Sequence, residues 1–526
     1  MIRNIFIPEG DEKSTYDKLI IIIFYLFPLF LLSSFLMNLS LVIISIYFIF
    51  FVIRNKFYSL FENTVVILII FFWIYLVFIS FFIHGEEIQI IKSISYIRFI
   101  FLFLTIAFIL PRLNFNLNKI FYFYLFIATI FSIDVIFQFI FGFNILGFPC
   151  EMSCQRNSSF FGKELVAGTF ILYFGLIGLL SLLINNKNLS FFIIFLIFFG
   201  FSIFLTGDRT PFIIFLIIIF LNSIFNKYLR FYFISGLIIS ILFFSVSMFS
   251  SVILKQRYIE NVKNIFSTSE LDLPSLDQNL SHHENMYNYL IKDSQKKNFI
   301  TSYINSEEKR SEKFKNLGID TYISSLQNKN FFKEKNYEEK IFFSNLIIIN
   351  LNNEINKLKL RRLNVIKVIS FREKNNLTNK WYNNLIDSQY GAHYLTAISI
   401  FLDNSLFGAG LKSYRNTCKK YEDINSFSSM SRCSSHPHNL HLEILSEAGI
   451  FGYLFFIIII FSAVISATRY RGKNNTILIY ILLFLLSYVF PFKPSGSFFS
   501  TFNSFYFWLC ISLIFYLKKK IQIDEK

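Results

Sequence analysis

The sequence predicts an all-α polytopic membrane protein with about twelve transmembrane helices. One large, mostly helical segment lies outside the membrane between spans nine and ten. Three observations carry that prediction. The 526 residues are 54% hydrophobic and 20% aromatic but only 16% charged, whereas a soluble domain carries about 25% charged residues. The apolar residues lie in long blocks, each near the roughly 17–25 residues that cross the hydrocarbon. The positive charges fall unevenly between the blocks, and that asymmetry sets membrane orientation. The same composition excludes an ordinary soluble enzyme. It also excludes a disordered chain, which is poor in aromatic and apolar residues.

The blocks run over 19–36, 39–53, 64–83, 93–111, 120–141, 164–184, 189–206, 210–226, 231–250, 450–467, 476–492 and 500–517. Only Met37-Asn38-Leu39-Ser40 separates the first two, which predicts a tight helical hairpin. The first block follows Lys18 without a small-residue cleavage site after it, and reads as an anchor. With the N-terminus inside, 17 Lys and Arg fall on inside segments and 5 on the short outside loops. Residues 1–250 then form an N-terminal membrane domain with spans one to nine. Residues 251–449 form an outer cap, and 450–526 a C-terminal segment with spans ten to twelve. The cap carries 27 Lys and Arg against 21 Asp and Glu. Tyr287–Lys292 and Lys333-Glu334-Lys335 read as amphipathic or solvated helix, and Ile347-Ile348-Ile349 is too short to span. The net charge of +16 is largely topology. No basic stripe with interleaved aromatics lies on one soluble unit, so nucleic acid is not an expected partner.

Two charges lie inside blocks. Arg98 and Asp134 sit at similar depth toward the outer side, with Gln138 one turn beyond Asp134. An intramembrane charge costs about 2.5–3.5 kcal/mol on insertion scales, so it is expected to pair, snorkel or line a cavity. A structural Asp134–Arg98 pair is the expectation. Of the five cysteines, Cys510 lies in the last block as inert packing. Cys150 and Cys154 share one outer loop, and Cys418 and Cys433 share the cap. Disulfides are favoured over metal ligation, because neither pair has zinc-site spacing with a second pair. No metal site is expected.

The chemistry-bearing stretch is 434–452, just outside span ten. Placed on one helix at about 100° per residue, His438, His441, Leu442, Leu445, Gly449 and Gly452 share a face. Glycines there would let another helix or a lipid chain approach closely. Imidazole suits proton transfer near neutral pH. The spacing of His436, His438 and His441 is also compatible with zinc. A third reading has these histidines capping the helix or satisfying backbone groups.

His438-Asn439, nine intervening residues and Gly449-x-x-Gly452 resemble the signature of the O-antigen ligase and O-antigen polymerase superfamily. Asn404-Ser405-Leu406-Phe407-Gly408-Ala409-Gly410 looks like that family's Asn-Pro-Leu-x-Gly-x-Gly turn, with Ser405 in place of Pro. Thr206-Gly207-Asp208-Arg209 is similar to its Ser-Arg turn, and Gln155–Gly162 to its outer arginine loop. The resemblance covers roughly 390–510, and 130–225 loosely; 251–385 resembles nothing identifiable. It implies a C-type glycosyltransferase-like membrane fold in a bacterial inner membrane, with both termini cytoplasmic and the active face periplasmic. The donor would be an undecaprenyl-diphosphate-linked glycan. The acceptor would be lipid A-core for a ligase, or another lipid-linked repeat unit for a polymerase. No metal or nucleotide cofactor is implied.

The residues fit that chemistry. Arg156, Arg209 and Arg415 all lie outside by this topology. Guanidinium groups grip phosphate oxygens bidentately and can stabilise a leaving diphosphate. His438 would take the acceptor proton, with His393 and His436 in support. Asn439, Gly449 and Gly452 would line the substrate side, where the glycine-smoothed face could receive the lipid chain. The rival functions are a flippase for lipid-linked oligosaccharide, which would want charges at the midplane, and a scaffold or sensor built on the outer cap.

Overall fold

The computed structural model describes residues 14–113, 117–151, 154–162, 164–184, 189–260, 277–281, 283–285, 352, 355–356, 359, 362, 389–421, 433–469, 475–491 and 496–524. Among these the protein is helical, with only two isolated antiparallel bridges, Phe143 to Pro149 and Glu151 to Arg156. The helices are α1 (Thr15–Phe30), α2 (Ser34–Arg54), α3 (Thr64–Phe78), α4 (Glu87–Ser95), α5 (Ile97–Leu104), α6 (Leu117–Phe141), α7 (Ala167–Ile184) and α8 (Leu189–Leu205). They continue with α9 (Arg209–Phe225), α10 (Arg230–Ser250), α11 (Val252–Lys255), α12 (Gln389–Asp403), α13 (Tyr414–Thr417), α14 (Leu440–Thr468), α15 (Asn475–Tyr488) and α16 (Thr501–Asp524). A helix falls on each of the twelve apolar blocks, the fourth being built from α4, α5 and a π-helical turn, Thr105–Ile109. Among the described residues, 7 helices are long and apolar enough to cross a membrane. Tyr287–Lys292, Lys333–Lys335 and Ile347–Ile349 lie outside the described residues.

Local chemistry starts each element. Ser14 and Asp17 form a reciprocal capping box on α1, and the Ser33 and Asn63 side chains cap α2 and α3. The break between α1 and α2 spans only 31–33, ahead of the expected turn, and Met37-Asn38-Leu39-Ser40 lies within α2. The packing is largely aromatic, which is where the phenylalanines and tyrosines are used. Tyr173 on α7 meets Tyr506 on α16 at 4.0 Å, and Phe131 on α6 meets Phe170 on α7 at 4.2 Å. Helix α7 is the central post, with 89% of its span buried.

Contacts sort the loops into two ends of the bundle. At one end Arg112 lies over the Phe57 ring at 3.5 Å, Lys519 lies 4.9 Å from the Phe108 ring, and Asn226 donates to the Thr476 carbonyl at 3.2 Å. At the other end Asn439 donates to the Pro491 carbonyl at 2.7 Å, just past the far end of α15. Helix α9 runs away from Asn226 to Arg209, and α15 runs away from Thr476 to Pro491. Arg209 and the histidine segment therefore share one end.

The expected Asp134–Arg98 pair does not form. Asp134 accepts hydrogen bonds from Ile145 N at 2.9 Å and Ser159 Oγ at 2.6 Å, and Gln138 accepts from Ser159 N at 2.8 Å. These buried polar groups pin the loop after α6 onto the helix. Arg98 instead donates to the Ser95 carbonyl at 2.9 Å and lies 4.9 Å from the Phe99 ring.

Two compact units emerge: Met1–Asn264 with His393–Tyr421 and Arg432–Lys526, and Ile265–Ala392 with Glu422–Ser431. Residues 393–421 and 432–449, which the sequence assigned to the cap, thus fold with the helical bundle. In the second unit Lys359 pairs with Glu284 at 2.8 Å.

Candidate functional site

The histidine segment enters α14 through Asn439. Its backbone is extended, and its side-chain oxygen accepts from His441 N and Leu442 N, each at 3.0 Å. That is the N-cap role for which asparagine is favoured. His438 therefore precedes the helix, with a left-handed backbone (φ 57°). Non-glycine residues adopt this region rarely, and such strain collects at functional sites. The single helix expected over 438–452 fails a second time at Gly449 (φ 68°, ψ −172°).

The groups opened by that break are met by other segments. Ser446 O accepts from Ala409 N at 2.8 Å, Glu447 O from Gly410 N at 3.0 Å, and Ala448 O from the Tyr75 hydroxyl at 2.6 Å. Ile450 N donates to Ser405 O at 2.9 Å. A Cβ on Gly449 would lie 2.3 Å from Leu406 O, and one on Gly452 would lie 3.2 Å from the Tyr75 ring. The glycine face expected to receive a lipid chain is thus occupied by the protein's own 405–408 turn and Tyr75. His441 bridges the Tyr453 hydroxyl at 3.0 Å and the Val489 carbonyl at 2.6 Å. It thereby ties the start of α14 to the chain just past the end of α15.

His393, His436 and His438 come together. The His438 ring is 4.1 Å from that of His436 and 5.2 Å, stacked, from that of His393. His393 is buried on α12, and its carbonyl accepts from the Tyr414 hydroxyl at 3.1 Å. Burial, reinforced by the charge of His438, pushes His393 down to about 4. Burial also lowers His438 below the usual histidine range. Both are neutral at pH 7, the form that can accept a proton. Among the described residues no group of three or more His, Cys, Asp or Glu is arranged to hold a metal ion.

Two wholly buried carboxylates brace this cluster. Glu447 accepts from Lys412 N at 2.7 Å and Tyr414 N at 3.4 Å. Glu443 accepts from Ser497 Oγ at 2.6 Å and Phe498 N at 2.8 Å, with the Lys412 ammonium, itself bonded to Ser497, at 4.0 Å. Glu447 and Lys412 escaped the sequence reading, although Glu443 and Glu447 one turn apart beside an apolar span were the available signal. Cys418 and Cys433 are joined by a disulfide that ties the end of α13 to the strand of chain leading to His436. Cys150 and Cys154 are also bonded. Arg415 is exposed on α13 and makes no side-chain hydrogen bond or ion pair among the described residues.

The arginines form a second group. Arg156 is paired with buried Asp208, and Arg209 follows directly as the first residue of α9. Asn157 stitches the loop to the end of α8, through Nδ2 to Leu205 O at 2.6 Å and N to Thr206 O at 3.0 Å. Arg257, which the sequence reading passed over, donates Nε to Gly207 O at 2.9 Å. Burial raises the Asp208 carboxyl above its usual range, opposed by Arg156 and Arg257.

No curated protein matches the chain. Residues 360–457 match the family model described as O-antigen ligase. That match covers about a fifth of the chain, the stretch containing His393 and His438, and is a similarity to that family over this stretch.

Proposed function

We propose that this protein is an O-antigen ligase. In this reading it moves an undecaprenyl-diphosphate-linked glycan onto a hydroxyl of lipid A-core, at the periplasmic face of a bacterial inner membrane. Twelve spans with both termini cytoplasmic are part of the proposal. The observation that carries it is His438: a neutral imidazole, half-buried, fixed in a strained backbone between two other histidines, at the same end of the bundle as Arg156 and Arg209.

In the step so assigned, the acceptor oxygen bonds to the anomeric carbon and the bond from that carbon to the diphosphate breaks. The acceptor proton passes to an imidazole nitrogen of His438, for which general-base help is worth about 10²–10⁴-fold. The lipid diphosphate leaves with one more negative charge, which Arg156 and Arg209 stabilise. His393 and His436 hold the ring of His438 by contact. Asn439 sets its position by starting α14 one residue later. Arg415, exposed on α13, is left for the acceptor or a lipid headgroup.

A deletion strain tests the assignment. Loss of the whole O-chain from lipopolysaccharide on a gel is the ligase result. A band carrying a single repeat would assign the protein as a polymerase joining lipid-linked repeats. Unchanged lipopolysaccharide would remove both readings.

A further inference from the structure

Helices α2, α3 and α5 leave an open groove of about 310 Å³ between them, walled by Phe48, Val52, Phe61, Trp73, Ile97 and Leu104. The polar atom of the Trp73 side chain is turned away from it and donates to the Ser93 carbonyl at 3.0 Å. Ile49 and Ile53, which also line the groove, are exposed, so it opens outward from the bundle. Its size falls at the lower end of the about 300–1,000 Å³ typical of ligand pockets.

Both walls run into basic turns at the end of the bundle opposite His438. On α2, Val52 precedes Arg54 and Lys56, and its carbonyl accepts from Phe57 N at 3.0 Å. On α5, Leu104 leads through the π-helical turn to Arg112, whose guanidinium lies 3.5 Å from the Phe57 ring. Lys519 of α16 reaches the same ring at 5.9 Å. None of these four cations forms an ion pair among the described residues. The carboxylate of Asp17, at the same end, is engaged by the Tyr47 hydroxyl and by Ser14 N. Glu62 is exposed and forms no ion pair among the described residues. Burial, and then the charge of Arg112, holds the Lys519 ammonium below its usual range, as expected of cations short of counter-charge.

We propose that this groove seats an acyl chain of an anionic phospholipid, whose phosphate is held by Arg112 and Lys519 with Arg54 and Lys56 at the rim. The two halves of the site match the two halves of such a lipid: an apolar trough that opens toward the bilayer, and cations at its end where a headgroup stands. Basic pockets between spanning helices are known to hold anionic headgroups in this way. A second copy of the chain fits less well, because a two-fold contact would bring one basic rim against another. The site lies at the far end of the bundle from the histidines and takes no part in the transfer step.

The test is quenching of Trp73 by brominated lipid. Full-length protein is reconstituted in phosphatidylcholine vesicles, into which phosphatidylglycerol or phosphatidylcholine with dibrominated acyl chains is titrated. The chain has 3 tryptophans, so the Trp73 signal is the difference between wild type and Trp73→Phe. Brominated phosphatidylglycerol should quench Trp73 at a lower mole fraction than brominated phosphatidylcholine, by about fivefold for each cation engaged. That preference should shrink as salt rises. Arg112→Gln and Lys519→Gln, on different elements, should each reduce it about fivefold, whereas Arg112→Lys keeps the charge and should keep most of the preference. The proposal is overturned if the two lipids quench alike, since any bilayer lipid would then fill the groove. It is also overturned if both glutamine variants retain the wild-type preference. Absence of Trp73 quenching by either lipid would overturn it too, because protein, a second copy included, would then cover the groove.

Discussion

Replacing Gly449 with alanine should be among the most damaging single changes in the bundle. The added Cβ would sit 2.3 Å from Leu406 O, 2.5 Å from Leu406 C and 2.6 Å from Gly408 N. All three are backbone atoms, so no side chain can swing aside. At φ 68° and ψ −172° the residue occupies a region essentially reserved for glycine, and holding another residue there costs about 1–3 kcal/mol. Overpacking adds about 1–3 kcal/mol. If the 405–410 turn retreats instead, the bonds from Ala409 N, Gly410 N and Ile450 N are lost, at about 1 kcal/mol each. The first route comes to about 2–6 kcal/mol and the second to about 3 kcal/mol, each a large part of a typical stability of about 5–15 kcal/mol. Gly85→Ala is the matched control, because Gly85 has the same sign of φ (70°) but nothing within 4 Å of the added carbon. It should cost about 1–2 kcal/mol, the left-handed penalty alone. The assay is denaturant or thermal unfolding of purified protein in one detergent. A Gly449→Ala protein as stable as wild type, or less perturbed than Gly85→Ala, would refute the close-packing argument.

Three further outcomes follow. Reducing Cys418–Cys433, or replacing both cysteines with serine, should lower stability by about 3 kcal/mol in the chain-entropy model and impair transfer, because the bond holds the chain leading to His436; unaltered melting and activity under reductant would contradict it. Glu447→Gln should slow transfer more than it weakens donor binding, since Glu447 fixes Tyr414 N and the Tyr414 hydroxyl bonds the carbonyl of His393; an unchanged kcat would count against that brace. His393 is held at about 4 against an ordinary 6.5, so between those values the unfolded chain binds a proton that the folded chain does not, and stability should fall as pH drops through that window. Flat stability from pH 7 to pH 4 would show that folding does not hold His393 below its ordinary range.

The helices were legible because hydrocarbon imposes a length and a composition, and each apolar block carries one. The histidine motif was legible because it is local. What failed was geometry set by long-range partners. A uniform 100° step cannot foresee that Asn439 caps the helix after His438, nor that Gly449 breaks it to admit residues 405–410. Asp134 and Arg98 at matching depth suggested a pair, yet each found a nearer partner, Asp134 in Ile145 N and Ser159, Arg98 in the Ser95 carbonyl. Arg257 was one basic residue among the 27 of the long outer segment. Only its contact with Gly207 marks it out.

The central claim is that His438 takes the acceptor proton. Purified wild-type and His438→Ala proteins, given the same lipid-linked donor and acceptor, measure it directly. The account predicts transfer about 10²–10⁴-fold slower in the variant, with pyrophosphate affinity unchanged. Transfer by His438→Ala at the wild-type rate would contradict it.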